Sequence, residues 1–590
     1  MESVDLNTTD NTADHAVDNA VDSAATADAC AAAPLLNCLL REAAEPAEAA
    51  GSARSTGSAA AGGSVRSAGE GWCVHRMLGS GRLLRVRGGR RPEWPELRTA
   101  AGWHPLSHTE LVKLVSDELR QYTGVSNDEL PVEIADSRET VAALLTARAA
   151  AEPPADPYVA SEQALVMGHP HHPAPKARGG APAGAWLPYA PEAYARFPLV
   201  FLGLREDQVV EEGGPAAAAA IDSLAQALDG PRPPAGYRLL PAHPWQLDLV
   251  AARPAVREAF ADGRLVRLGS GRVPVWPTAA IRTLYVPGGG WGAGPDGAGA
   301  AGVAGVGGGA GVGAGAGTGA AGPAGGWAYG GDLFVKFSLD VRITNDVRRL
   351  WRHDLLKLRR TDAAVEAGFA ELRRSGSRAA WLSDRGYRTA AFAFEELAVL
   401  VRDGLGAHVE PGVTPLLAAA LAEGYPGSPL EATADPVGWW RAYLRQVVPP
   451  VLHLFARHGV VLEAHLQNTL VAVDAAGVPA QALFRDAEGV KLLPDPDREA
   501  AWQRLVYCLV VNHLTEVAGA LAESHPEAAG SLWPAARAEF RRFDAAHGLP
   551  EIAALLAAPT LPAKTNLLLR WTRADGADAR YLPLPNPLRV

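Results

Sequence analysis

The alternation of apolar and polar positions predicts where the strands of this chain lie. Successive side chains of a strand point to opposite faces, so a period of two marks a sheet element. The pattern is clearest over residues 332–344, DLFVKFSLDVRIT. There Leu333, Val335, Phe337, Leu339 and Val341 alternate with Lys336, Ser338 and Asp340, which predicts a half-buried strand. Residues 273–286 predict a second strand with Ala280 and Arg282 on one face, and 197–204 a short third. Between the first two, residues 288–326 are almost entirely Gly and Ala and have nothing to pack. The expected arrangement is a hairpin with a greatly lengthened, flexible loop, since loop-closure entropy grows slowly with length. That hairpin would hold Arg282 and Lys336 on a rigid sheet.

Helical patterning covers 107–122 and 139–149, the latter with Ser137 as its expected N-cap. It returns over 392–402, 437–457, 499–520 and 532–545. Pro449 and Pro450 predict a kink or break in the second of these four. Residues 1–33 and 43–70 are poor in large apolar side chains and cannot offset their ordering entropy. Residues 1–70 are therefore expected to form a disordered leader, with one short helix near 35–41. A helical N-terminal subdomain (71–155), a central region with antiparallel sheet (156–395) and a mainly helical C-terminal domain (396–590) are expected to follow. The fold class is α+β.

Composition narrows the function. The 590 residues suffice for two to four domains, and a formal net charge of -10 gives no electrostatic case for nucleic acid or an anionic membrane. The acidic N-terminus lacks the pattern of a signal peptide, and no apolar run is expected to span a bilayer, so the cytoplasm is the expected compartment. Cys30, Cys38, Cys73 and Cys508 include no C-x-x-C pair, which argues against a disulfide framework or a cluster.

Four constellations carry candidate chemistry. The first is GHPHHPAPKARGG at 168–180, where prolines and glycines exclude a regular helix. His169, His171, His172, Lys176 and Arg178 on this stiff loop suit a phosphate or a carboxylate. A solvated basic turn and a zinc site are the competing readings. The second, PAHPWQ at 241–246, is read equally well as a turn packed by Trp245. The third joins Arg282 and Thr283 to Lys336 and Arg348, cations able to neutralise a triphosphate. Taken singly, each is an ordinary surface charge. The fourth is VLEAHLQNTLVAV at 461–473, where Glu463, His465 and Gln467 alternate with Leu462, Ala464 and Leu466. Asn468 follows directly, and Asp486 comes in the later FRDAEG. Oxygen ligands in this order suit Mg²⁺ and nucleotide phosphates, and burying such a run without purpose is costly.

In this order, the blocks resemble the siderophore synthetases that work without a peptide-synthetase assembly line, the aerobactin-synthetase (IucA/IucC) family. The resemblance covers about residues 155–590. It rests on Gly168, His169, Pro170, His172, Pro173, Lys176, Arg178 and Gly180, then on His243–Gln246. It continues through Ala280, Arg282 and Thr283, then Lys336, Ser338 and Arg348, and Glu463, His465, Gln467 and Asn468. Asn586-Pro587-Leu588 closes the chain. The resemblance implies a cup-shaped α+β architecture of three subdomains, often dimeric. It implies a C-terminal domain like that of ferric-siderophore reductases, here without their cluster cysteines. It also implies an ATP site at Ala280, Arg282, Thr283, Lys336, Arg348, His465, Gln467 and Asn468. Mg²⁺ would lie near Glu463 and Asp486, and an acid, usually citrate or a derivative, near His169, His172, Lys176 and Arg178. Arg282, Lys336, Arg348 and His465 would be catalytic, and the second substrate would be an amine, hydroxylamine or alcohol. Ala280 departs from the family's usual serine, which predicts weaker phosphate binding by about 1 kcal/mol.

Two rival readings remain. A kinase-like phosphotransferase is echoed by His465–Val471 and Asp486, but Gln467 stands where such enzymes need an aspartate. A noncatalytic carboxylate- or siderophore-binding protein is the other.

Overall fold

The computed structural model describes residues 11–47, 71–288, 331–344, 346–574 and 581–590, with side chains from residue 24 onward. The insertion 288–326 thus lies, residue 288 apart, outside the described residues, as do 1–10 and 48–70 of the expected leader.

The remainder of that leader is ordered. A helix runs over Asn11–Glu42, and Leu35, Leu36, Cys38 and Leu39 are fully buried. They pack with Leu111 and Val115 and, from the far end of the chain, Leu567 and Trp571. Alanine is the best helix former, so an Ala-rich stretch needs only one apolar face to be held. The expected helical subdomain 71–155 also needs correction. It opens with an antiparallel sheet of Ala44–Pro46, Trp72–Met77, Leu83–Arg87, Glu93–Thr99 and Gly102–Pro105, in that order. Arginines hid the strands: Arg85 stacks on Trp72 and Trp103 at 4.2 and 4.6 Å, covering the sheet's outer face. Helices His108–Thr123 and Glu129–Ala149 follow. Ser107 caps the first with a capping box. Ser137 lies inside the second and caps nothing; its hydroxyl accepts the Lys176 N–H at 3.0 Å.

The central sheet is antiparallel, in the order Trp276–Pro277, Thr283–Val286, Leu333–Phe337, Val399–Asp403, Asp384–Ala390, Val209–Glu212. The predicted hairpin is present, with Thr283 opposite Lys336 and Val286 opposite Leu333. Leu333–Phe337 is buried on both faces rather than one. Leu333, Val335 and Phe337 face one core, while Phe334 packs with Tyr158, Tyr285 and Leu470 on the other. The predicted strand 273–286 is broken by a turn at 278–282, where Ile281 takes φ +58° and the Thr278 hydroxyl donates to the Thr283 carbonyl. Arg282 therefore projects from a turn. Residues 392–402 are not helical: Val399–Asp403 is a central strand, an outcome that an apolar run of that length leaves open.

Helix Pro436–His458 runs unbroken through Pro449 and Pro450. Each interior proline costs about 3 kcal/mol. Trp440, Tyr443, Leu444, Val447, Val448, Val451 and Leu452 are all buried from the same helix, each stabilising by roughly 1.5–3 kcal/mol, so packing prevails. Arg498–Ser524 is a helical run of 27 residues, apolar and long enough to cross a membrane, contrary to the sequence expectation; 78% of its most apolar window is buried inside the protein. A second sheet, of Ala380–Leu382, Pro479–Arg485, Thr469–Val473 and Thr414–Leu417, sets Thr469 opposite Phe484. That register brings Asn468 and Asp486 to the same sheet end.

Candidate active site

A cavity of about 500 Å³ lies where the three parts of the chain meet. Its wall includes His169, Lys176, Arg178, Ala280, Arg282, Thr283, Lys336, Arg348, Glu463, His465, Gln467, Asn468 and Asp486. Of the sequence-predicted site residues, His172 is not on the wall.

The sheet side carries most of the exchangeable charge. Lys336 is 2% exposed and donates to Asp486 and Glu488, both at 2.7 Å. Arg282 reaches Glu488 at 3.0 Å and donates to the carbonyls of Arg348 and Arg349 at 3.1 and 2.8 Å. Burial pushes the Asp486 carboxyl up, but Lys336 and Arg402 outweigh it and hold it well below the usual carboxylate range. Asp486 has φ +83°, a left-handed turn that aims its carboxylate back at the lysine. Arg348 donates to the Thr344 hydroxyl at 2.6 Å and, among the described residues, pairs with no carboxylate. Burial, then the neighbouring Arg282, lowers its pKa to about 10. It is a cation at neutral pH, open to an incoming anion.

The Glu463–Asn468 segment is extended and ends in a 3₁₀ turn, Leu466–Asn468. Leu462, Ala464 and Leu466 are buried, while Glu463, His465 and Gln467 are partly open, as the alternation predicted. Burial lowers the His465 pKa against the opposing Glu463 and Asp486, so the ring is neutral at pH 7. Asn468 lies 3.3 Å from its Nε2. Glu463 is ion-paired to Arg504.

The basic loop behaves differently. Lys176 and Arg178 share buried Glu192 at 2.6 and 3.1 Å, so much of their charge is spent within the fold. His172 is buried and accepts the Ala174 N–H, a loop-bracing contact that removes it from the predicted carboxylate site. His169 accepts the His171 N–H, and burial, then His171 and His172, lowers its pKa to about 3. His171 is held between Arg41 at 2.8 Å and Glu516 at 3.0 Å. Each ring has its own contact, so the zinc reading of this loop loses its ligands. His243 caps helix Pro244–Val250, and Gln246 accepts the Asp340 N–H at 2.7 Å. That block braces the site from behind: Asp340 in turn grips Arg349 at 2.6 and 2.9 Å.

Several residues of the site escaped the sequence reading. Glu488 follows Asp486 by two in FRDAEG, a signal that was available. Glu488 pairs with Lys336 and Arg282 rather than lining the cavity; Asn37, Arg90, Arg504 and Lys564 do line it, but nothing local in the sequence marks them.

Residues 157–291 match the sequence model of the IucA/IucC family, and 438–579 match that of the ferric iron reductase FhuF-like transporter. The rhizobactin siderophore biosynthesis protein RhbC of Rhizobium meliloti is 28% identical over 73% of this chain and 75% of its own length. The L-2,3-diaminopropanoate–citrate ligase of Staphylococcus aureus is 26% identical over the same shares. In sequence the chain is thus similar to the IucA/IucC family. The fold agrees: ATP-bound aerobactin synthetase IucA of Klebsiella pneumoniae superposes with a TM-score of 0.74 over 95% of this chain and 99% of its own, at 21% identity. The petrobactin biosynthesis protein AsbB of Bacillus anthracis gives 0.68 over 96% of each chain, at 16% identity. Both family-matched segments contribute to the cavity, the first through the basic loop and Ala280–Thr283, the second through Glu463–Asn468 and Asp486. Lys336 and Arg348 come from the stretch between them.

Proposed function

We propose that this chain is an ATP-dependent ligase of siderophore biosynthesis. It adenylates a carboxylate, with citrate or a citrate derivative favoured by the citrate ligase among its relatives, and joins it to an amine, hydroxylamine or alcohol. AMP and pyrophosphate leave. The observation that carries this reading is the convergence of Arg282, Lys336, Arg348, His465, Gln467 and Asn468 on one cavity.

In this mechanism a carboxylate oxygen attacks the α-phosphorus and pyrophosphate departs. Lys336, Arg282 and Arg348 stabilise the charge that develops on the phosphoryl oxygens. Neutral His465 contacts the nucleotide as a hydrogen-bonding ring, with Gln467 and Asn468 beside it. The nucleophile then attacks the acyl carbon and displaces AMP. The acid docks near His169. The Lys176–Glu192–Arg178 triad retains one net positive charge there, which favours an anion without binding it tightly.

Mg²⁺ fits this site modestly. Lys336 and Arg402 both bond Asp486 Oδ1; among the described residues its Oδ2 takes no hydrogen bond. Glu463 is engaged by Arg504. Magnesium would rest on Asp486 and mainly on phosphate oxygens, as it does in nucleotide sites, and would supply charge neutralisation.

The test is carboxylate-dependent ATP–pyrophosphate exchange across citrate, 2-oxoglutarate and succinyl-hydroxamates, with AMP release on adding diamines. ADP as the product would instead mark a phosphotransferase. Acid binding without pyrophosphate release would mark a noncatalytic binder.

A further inference from the structure

A second cluster of metal-ligating side chains lies away from the cavity. Helix Arg352–Arg374 contributes Glu371, and the last turns of helix Pro436–His458 contribute His453 and His458; the two helices pack against each other. His453 Nε2 is 3.5 Å from Glu371 Oε1, and His458 Nε2 is 3.1 Å from Glu371 Oε2. One ligand atom from each residue lies within 4.8 Å of the others. A tetrahedral zinc ion with bonds of about 2.0–2.1 Å has ligand–ligand edges of about 3.3 Å. His458 Nε2 and Glu371 Oε2 already span about one such edge, and small rotations of the His453 ring and of the carboxylate close the others.

Two further observations distinguish this cluster from an ordinary ion pair. His453 Nε2 is buried and takes no hydrogen bond among the described residues, so a ring nitrogen is aimed at the cluster without a proper partner. Gly368 makes room: a Cβ there would stand 3.3 Å from His458 Cδ2. The competing cation is Arg457, 3.7 Å from Glu371 with its side chain 64% exposed, and it can swing into solvent.

We propose that Glu371, His453 and His458 bind a borderline divalent transition ion, with zinc the best chemical fit. Two imidazoles and one carboxylate suit zinc and disfavour magnesium or calcium, which prefer all-oxygen sites. The partly open side of the cluster leaves a fourth position to water. The ion clips the two helices together. Because helix Arg352–Arg374 also packs on the Ala487–Gly489 turn that carries Glu488, the clip steadies an acid that pairs with the cavity's Lys336 and Arg282 without entering the cavity.

The test uses the full chain, stripped with a chelator and gel-filtered. Zinc is titrated in competition with a chromophoric chelator, and bound metal is counted after desalting. The wild type should hold one more equivalent than Glu371→Gln or His458→Ala, with affinity at this site at least about 10-fold weaker in each variant. Zinc should raise the Tm of the wild type by a few degrees and of neither variant. Arg457→Ala should keep the extra equivalent, which guards against a variant that simply misfolds. Equal stoichiometry and affinity in wild type, Glu371→Gln and His458→Ala would overturn the proposal. So would loss of the equivalent in Arg457→Ala, or displacement of zinc by equimolar magnesium.

Discussion

On the loop side of the cavity, Lys176 and Arg178 close on Glu192, and all three side chains are 7% exposed or less. On the sheet side, Lys336 is equally buried, but its partners Asp486 and Glu488 are 25% and 26% exposed. The two clusters use the same residue types and similar distances. They differ in whether the acid can be exchanged. Glu192 is only 4% exposed and holds both cations, so their charge is largely spent within the fold. Asp486 lines the cavity and Glu488 is about as exposed as it is, so a triphosphate can compete with them for Lys336 and Arg282. A cation in a sequence thus says little about binding until its partner and that partner's access are known.

The sharpest way to break this comparison is Glu192→Gln. It leaves two adjacent buried cations without a counter-charge, which should destabilise the protein by about 3–5 kcal/mol. Chemical denaturation followed by tryptophan fluorescence would measure it. Adding Lys176→Met should recover part of the loss. A change below about 1 kcal/mol would mean that the triad is not a structural device.

Lys336→Met should do the opposite. Its acids reach solvent, so stability should change little, while carboxylate-dependent pyrophosphate exchange falls by about 10²–10³-fold. A stability loss matching that of Glu192→Gln, or exchange within a few-fold of wild type, would erase the distinction between the two walls.

A third test concerns Glu42, which joins the two ends of the chain. Its carboxyl accepts the N–H groups of Asn566, Leu567 and Leu568 at 2.9, 3.0 and 2.8 Å. Burial pushes its pKa up to about 7 against the lowering effect of those bonds. The folded state therefore holds more protons than the unfolded state between pH 4.5 and about 7. By linkage, stability from this group is greatest below that window and declines as pH rises through it, by at most about 1.4 kcal/mol per pH unit. The difference in unfolding free energy between wild type and Glu42→Gln should shift in that direction from pH 5 to 7 and level off above. A flat difference would mean that the carboxyl is ionised throughout.

These contrasts also mark what the sequence made legible. The alternation around Lys336 and Glu463 identified the residues that meet in the cavity, because a period of two specifies a face. It could not reveal that Leu333–Phe337 is covered on both sides, since that depends on the second sheet and on Tyr158, which are distant in the chain. The leader was misread because alanine adds little hydrophobicity yet favours helix, so that Leu35, Leu36 and Leu39 suffice to dock residues expected to be disordered. Asn37 came to the cavity wall and Arg41 to His171 by that route, and no local pattern signals such a contact. His172 shows the reverse error: a motif histidine in the right loop whose ring is turned to bracing the backbone.

The smallest expected effect tests the position where the chain departs from the pattern of the family it resembles. Ala280 lines the cavity in the turn before Arg282. Thr278, two residues earlier, looks like a replacement hydroxyl, but its proton is committed to the Thr283 carbonyl at 2.9 Å. Its oxygen also receives the Ala280 N–H at 3.4 Å. It can offer no proton to a phosphate without releasing the turn. Ala280→Ser would add a free donor on the same turn. One neutral hydrogen bond contributes about 1 kcal/mol, so the KM for ATP should fall by about 5-fold while pyrophosphate exchange at saturating ATP stays within about 2-fold. Thr278→Val should instead leave ATP affinity nearly unchanged and lower stability. If Thr278→Val weakens ATP binding as strongly as Ala280→Ser improves it, the threonine is already doing the serine's work.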